Sequence, residues 1–287
     1  MLSGFVLAWA SRDGIKENYY MSRIVRIYPA YLFMGLITIP FILEYDLFKV
    51  VTFIWLFITS TQSWLPSTFS FWNFGGSWSI STEMFFYLVF PFVLPFIKKK
   101  PVVYIFIAYI ITSFIIPISL LLTNSADFPR YYVSPIHRLP EFVIGVGLGV
   151  IFTSGGRIKC FKNTLFLLAI LGLVLISPSD NQGWMKNNYV TVLGSAYIVY
   201  FLAEIRFSMN IITKIFVYLG KISFSFYLMQ LPILMFVDKY NYLLAHIPTW
   251  QAWSILGLIN LCMACFCYHF VENNKKLKYI LKNKKTT

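Results

Sequence analysis

The chain has 287 residues, 58% of them hydrophobic and 12% charged, and a mean hydropathy of +0.69. This excludes an ordinary soluble domain and fits repeated membrane-spanning segments. The net charge of +13 would suit a nucleic-acid partner if it formed one stripe, but the basic residues lie between apolar runs, which excludes that class and points to membrane topology.

After a short apolar piece at 1–10, apolar segments run at 24–43, 48–65, 78–97, 102–122, 137–153, 163–177, 190–204, 214–236 and 251–271. Lipid cannot satisfy an open sheet edge, and the alternating pattern of a barrel is absent. The expected fold is therefore an all-α polytopic transmembrane helical bundle. Placing 11–23 with Arg26, 98–100, 154–162, 205–221 and 272–287 in the cytoplasm collects 19 of the 24 basic residues. The others are Lys49, Arg130, Arg138, Lys186 and Lys239.

A chain that leaves the cytoplasm at Arg26 and returns at Lys98 crosses twice, yet three apolar segments lie between. The most polar of them, 48–65, carries Lys49, Thr52, Thr59, Ser60, Thr61, Gln62 and Ser63. It is expected to be re-entrant or interfacial. This leaves about nine spanning helices, the first of them partial, and a basic cytoplasmic tail at 273–287 that rests on anionic headgroups of the membrane lipids.

Chemistry-bearing residues recur at helical spacings. In "MSRIVRIYPAYLF", Arg23 and Arg26 stand three apart with Pro29 near the expected first turn. Two guanidinium forks on one face suit phosphate, and topogenic charge is the plainer alternative. In "SWSISTEMFFYLVFPF", Ser79, Glu83 and Tyr87 are spaced by four and share one face. An intramembrane carboxylate is costly and marks either a site or a pairing with an arginine.

In "SPIHRLPEFVIGVGLGVIF", Arg138 and Glu141 have the spacing of an i,i+3 ion pair, His137 precedes them, and Gly145, Gly147 and Gly149 allow close helix packing. "LGKISFSFYLMQLPIL" sets Ser223, Tyr227 and Gln230 on roughly one stripe before Pro232, and "CYHFVENN" sets His269 and Glu272 three apart. Glu272 is also explained by a terminal salt bridge or a headgroup contact. The cysteines, Cys160, Cys262, Cys265 and Cys267, read as small core residues; no metal site is expected.

"LSGFVL", "RIVRIYPAYL", "SWSISTEMFFYLVFP", "HRLPEFVIGVGLG", "GKISFSFYLMQLP" and "FVEN" together resemble the integral-membrane acyltransferases called acyltransferase family 3, in that family's order. The resemblance implies a membrane domain over 1–272 that moves an acyl group, commonly acetyl, from a coenzyme A thioester to a hydroxyl of a surface carbohydrate or lipid-linked glycan. Acyl-CoA would be a co-substrate, with no bound cofactor, and a bacterial inner membrane with the C-terminus inside is the expected location. Arg23 and Arg26 match the family's basic pair and would hold the donor. Glu83 matches its buried carboxylate, with Tyr87 beside it; Arg138, Glu141, Tyr227, Gln230 and Glu272 would serve the acceptor or a gate.

Two departures stand out. Family members usually begin with a further helix carrying an arginine and a histidine, so the chain is expected to be incomplete at its amino end and a poor catalyst alone. Gln230 stands where histidine is common, and it cannot gain a proton near neutral pH. A carrier or flippase for a lipid-linked sugar, its path lined by Glu83, Tyr87, Arg138 and Gln230, is the alternative from another class; an inactive gene fragment is a third.

Overall fold

The computed structural model describes residues 1–124, 128–156, 188–205, 208–240, 242 and 246–274. They form helices throughout: α1 Leu2–Ala10, α2 Tyr19–Ile42, α3 Leu47–Thr59, α4 Phe74–Lys99, α5 Pro101–Leu122, α6 Arg130–Val133, α7 Pro135–Thr153, α8 Asn188–Glu204, α9 Ile211–Lys239 and α10 Thr249–Glu272. Among the described residues six of these, α2, α4, α5, α7, α9 and α10, are long and apolar enough to cross a membrane. The architecture is the polytopic all-α one expected. The apolar segment at 163–177 and nearly all of the 273–287 tail lie outside the described residues.

The chain divides into two compact units, Met1–Glu17 with Ser81–Arg206 and Asn18–Ile80 with Phe207–Thr287. The single helix α4 contributes its first turns to the second unit and the rest to the first. In the first unit α7 is the central element, packed by α1, α5, α6 and α8. Its core joins Phe5, Ala108, Ile144, Leu148, Val192 and Tyr200. The approach of α1 is close because glycines remove the side chains between them: a Cβ on Gly4 would lie 2.4 Å from the Phe142 carbonyl oxygen, and one on Gly149 would lie 2.7 Å from that of Phe5.

In the second unit α9 packs on α2 and α10, and the last turn of α10 also meets α2. Here α3 has 13 residues, about 20 Å at 1.5 Å per residue, well short of a hydrocarbon core of about 30 Å. Asp46 caps it, accepting from the Lys49 amide at 3.0 Å; that hydrogen bond, then the Lys49 ammonium, holds the carboxyl below its usual range. The helix stops at Ser60 in the left-handed conformation, φ 53°, and two single-turn 3₁₀ segments follow at Gln62–Trp64 and Pro66–Thr68.

Of the polar residues that mark this stretch, Ser60, Gln62 and Ser63 are buried, while Lys49 and Thr59 are exposed. Gln62 Nε2 donates to Tyr31 Oη at 3.1 Å and to the Ser77 carbonyl at 3.1 Å, while Asn73 Nδ2 donates to Thr38 Oγ1 at 3.0 Å. Rings close the seam: Tyr31 stacks on Phe57 at 4.0 Å between centroids.

One boundary differs from expectation. Pro29 lies eleven residues into α2, not in its first turn, because Tyr19–Arg23 extend the helix beyond its apolar run. The interior proline is tolerable in a membrane helix, where neighbouring groups satisfy the freed carbonyl.

Candidate functional site

In the first unit, α4 and α7 carry the polar groups. Arg138 Nη1 bonds Glu141 Oε1 at 2.7 Å, with side chains 15% and 20% exposed, so the i,i+3 pair is formed and largely withdrawn from water. Arg138 is held from two further sides: Nε donates to the Tyr132 carbonyl at 2.9 Å, and the guanidinium stands 5.4 and 5.0 Å from the ring centroids of Tyr131 and Tyr132. A guanidinium fixed by three contacts presents a preorganised charge.

Glu83 is half-buried and Tyr87 buried one turn on. Glu83, Arg138 and Glu141 all lie within electrostatic reach of Met1, so two elements bring the three charged groups into one neighbourhood. Thr82, beside Glu83, donates to the Val133 carbonyl at 3.3 Å, fixing α4 against α6. Farther along, Phe86 stacks on Phe142 at 4.6 Å.

A cavity of about 500 Å³ opens beside the Arg138–Glu141 pair, lined from one face of α8 by Asn188, Thr191 and Ser195 together with Val192 and Val199. The sequence reading missed Asn188. It is buried and donates to the Thr112 carbonyl and Oγ1, both at 2.9 Å, and to Tyr131 Oη at 3.0 Å. The widened π-turn at Ile111–Ile115 carries the Thr112 carbonyl that Asn188 bonds. Burial pushes the Tyr131 phenol up to about 12, although Arg138 pulls the other way; Tyr131 is therefore neutral at physiological pH. His137 stacks on Tyr131 at 5.7 Å between centroids, and its Nδ1 is buried without a hydrogen-bond partner among the described residues.

In the second unit, Ser79 Oγ donates to Tyr227 Oη at 2.8 Å, and Tyr227 in turn donates to the Gly76 carbonyl. This ties α9 to the first turns of α4. Gln230 is half-buried on the next turn. The expected stripe needs correction at Ser223, which is exposed and donates to the Gly220 carbonyl of its own helix, at 2.9 Å.

The buried hydroxyl is Ser225 instead, bonded to Glu272 Oε2 at 2.6 Å. It lies two residues on, a step of about 200° around the helix, facing α10. Asn260 adds a second tie, donating to the Phe226 carbonyl at 3.3 Å. Glu272 thus has a defined partner within the protein.

Arg23 and Arg26 fall in the second turn of α2 and differ in setting. Arg23 is half-buried with its guanidinium 5.5 Å from the Tyr19 ring centroid, whereas Arg26 is exposed. On the last turn of α10, His269 Nε2 and Tyr218 Oη are 3.1 Å apart. Cys262 is exposed, Cys265 intermediate and Cys267 buried; Cys160 lies outside the described residues. Among the described residues no three His, Cys, Asp or Glu side chains are grouped to hold a metal ion.

The described helices thus bring together a half-buried carboxylate, a locked arginine–glutamate pair and a cavity lined in part by polar side chains. Residues 1–269 match the family model described as an acyltransferase domain, and the chain belongs to that family. It is 24% identical over 285 residues to O-acetyltransferase OatA of Staphylococcus aureus, covering 89% of this chain and 46% of that protein. It is 27% identical over 265 residues to acyltransferase MdmB of Streptomyces mycarofaciens, covering 80% and 65%. A putative acetyltransferase, ORF330, of Acidianus two-tailed virus is 24% identical over 226 residues, covering 75% and 64%. The chain thus spans between about half and two thirds of the length of these relatives. No solved structure matches it.

Proposed function

We propose that this chain is a membrane O-acyltransferase that moves an acyl group, acetyl in the first instance, from acyl-CoA to a hydroxyl of a surface carbohydrate or lipid-linked glycan. The setting is a bacterial cytoplasmic membrane with the C-terminus inside. Family membership over residues 1–269 supports the reaction class. The observation that carries the acceptor is the cavity beside Arg138 and Glu141, whose lining joins hydrogen-bonding and apolar side chains. Hydroxyl-bearing amphiphiles present both kinds of surface.

The acceptor oxygen attacks the thioester carbonyl, the carbon–sulfur bond breaks, and the hydroxyl proton ends on the departing thiolate. Glu83 takes or relays that proton, and Tyr87 fixes its surroundings one turn on. Arg138, its charge held in place, stabilises the oxyanion or the acceptor's oxygens. Arg23 and Arg26 bind the donor, and Tyr227, Gln230 and Glu272 serve the acceptor or a gate.

The test is transfer of labelled acetyl from acetyl-CoA to glycan by the full chain in proteoliposomes. Loss of a positioned acid–base group costs about 10²–10⁴-fold, so Glu83→Gln should lose most transfer while keeping its thermal midpoint. Wild-type turnover in that variant removes Glu83 from the chemistry. Movement of unlabelled glycolipid across the bilayer without any transfer replaces the enzyme by a carrier.

A further inference from the structure

The connection between α1 and α2 forms a site of its own within the first unit. Residues 9–17 surround a cavity of about 460 Å³ whose walls include Trp9, Arg12, Asp13, Lys16 and Glu17. The loop bends back at Gly14, φ +113°, whose amide bonds the Ser11 carbonyl at 3.1 Å. Trp9 is 48% exposed although it ends an otherwise apolar helix, and the Arg12 guanidinium stands 5.9 Å from its ring centroid.

The last turn of α4 reaches this loop. Lys98 Nζ donates to the carbonyls of Ser11 and Arg12 at 3.5 and 3.4 Å, fixing the loop against α4. Within the loop the charges balance, Arg12 and Lys16 against Asp13 and Glu17, and Arg12 pairs with Asp13 at 3.4 Å with both side chains largely in water. The surplus comes from the end of α4 and the residue after it, where Lys98, Lys99 and Lys100 follow one another, all exposed. A planar aromatic face, a guanidinium and the Lys16 ammonium around one concavity, with a lysine run that begins where Lys98 meets its loop, match a base-bearing phosphate compound.

Resting on the reading of acyl-CoA as donor, we propose that this loop and the end of α4 seat the donor's nucleotide end, its base on Trp9 and its phosphates on Arg12, Lys16 and Lys99. The shared chemistry is phosphate, which lipid headgroups also offer, so the experiment separates the two sources. Binding of coenzyme A to the purified full chain in detergent is compared between wild type, Arg12→Gln/Lys16→Gln/Lys99→Gln and, as an independent variant, Trp9→Ala. Lys221→Gln, exposed on α9, is the control for a lost charge elsewhere. The same proteins are then tested for retention by phosphatidylglycerol against phosphatidylcholine vesicles.

The triple variant should bind coenzyme A at least about tenfold more weakly, and Trp9→Ala about fivefold or more, while Lys221→Gln binds like wild type. Unchanged coenzyme A binding in both loop variants overturns the site and leaves the donor reading standing. A fall confined to phosphatidylglycerol vesicles also overturns it, making the patch a headgroup contact. A wild-type chain that does not bind coenzyme A removes the donor reading and the proposal together.

Discussion

Ser225 and Glu272 show how much of a membrane site depends on partners far apart in the chain. A buried hydroxyl facing a carboxylate at 2.6 Å is a charge-assisted bond, worth about 1.5–3 kcal/mol against its absence. Ser225→Ala should therefore lower the thermal midpoint in detergent, Glu272→Gln should lower it less, and a double-mutant cycle should return a coupling of about 1–3 kcal/mol. Strictly additive losses would mean that the two groups contribute separately and the contact is incidental. The pair legible in the sequence, Arg138 with Glu141, is three residues apart, and the helix alone brings such groups onto one face. Ser225, Gln62 and Asn188 were not legible, because their partners lie 47, 31 and 76 residues away and only tertiary packing selects which polar side chain turns inward.

Element boundaries follow hydropathy closely where an apolar run is uninterrupted and depart from it where aromatic or basic residues continue the helix. The apolar runs at 190–204 and 214–236 grow by a few residues into α8 and α9, while α2 gains a turn and a half of tyrosine, serine and arginine before its apolar part. The glycines separate into two kinds that no sequence pattern distinguishes. A Cβ at Gly4 would meet backbone of α7 at 2.4 Å, whereas one at Gly220 or Gly257 would meet nothing within 4 Å. Overpacking costs about 1–3 kcal/mol, so Gly4→Ala should loosen α1 from α7, with faster amide exchange in α1 and a lower midpoint. Gly220→Ala should be neutral or stabilising, since alanine is favoured over glycine inside a helix by about 1 kcal/mol. Equal behaviour of the two variants would show that the α1–α7 contact carries no weight.

At the scale of the molecule, the charge distribution decides topology before any contact is considered. Lys98 and Lys99 end α4, with Lys100 just beyond, and Lys239 ends α9 with its ammonium on Glu44. With basic ends favoured on the cytoplasmic side and α3 too short to cross, a single cysteine at Lys99 in an otherwise cysteine-free chain should resist an impermeant thiol reagent in intact cells. One at Lys239, assigned to the opposite side, should react. Labelling of the Lys99 position from outside would invert the bundle and move Arg23 and Arg26 away from any cytoplasmic donor.

The short α3 also has a consequence for how the protein is made. Among the described residues the two amide hydrogens of Gln62 find their acceptors on Tyr31 and Ser77, one on the helix before α3 and one on the helix after it. Until α2 and the start of α4 stand side by side, that amide has no partner but water, and carrying it unpaired into lipid is unfavourable. Biogenesis is thus given an order: the flanking helices enter the bilayer first as a hairpin, and the segment between them sinks in only when its receptors are assembled. The fold of this stretch is then a late event of maturation, completed after translocation has ended.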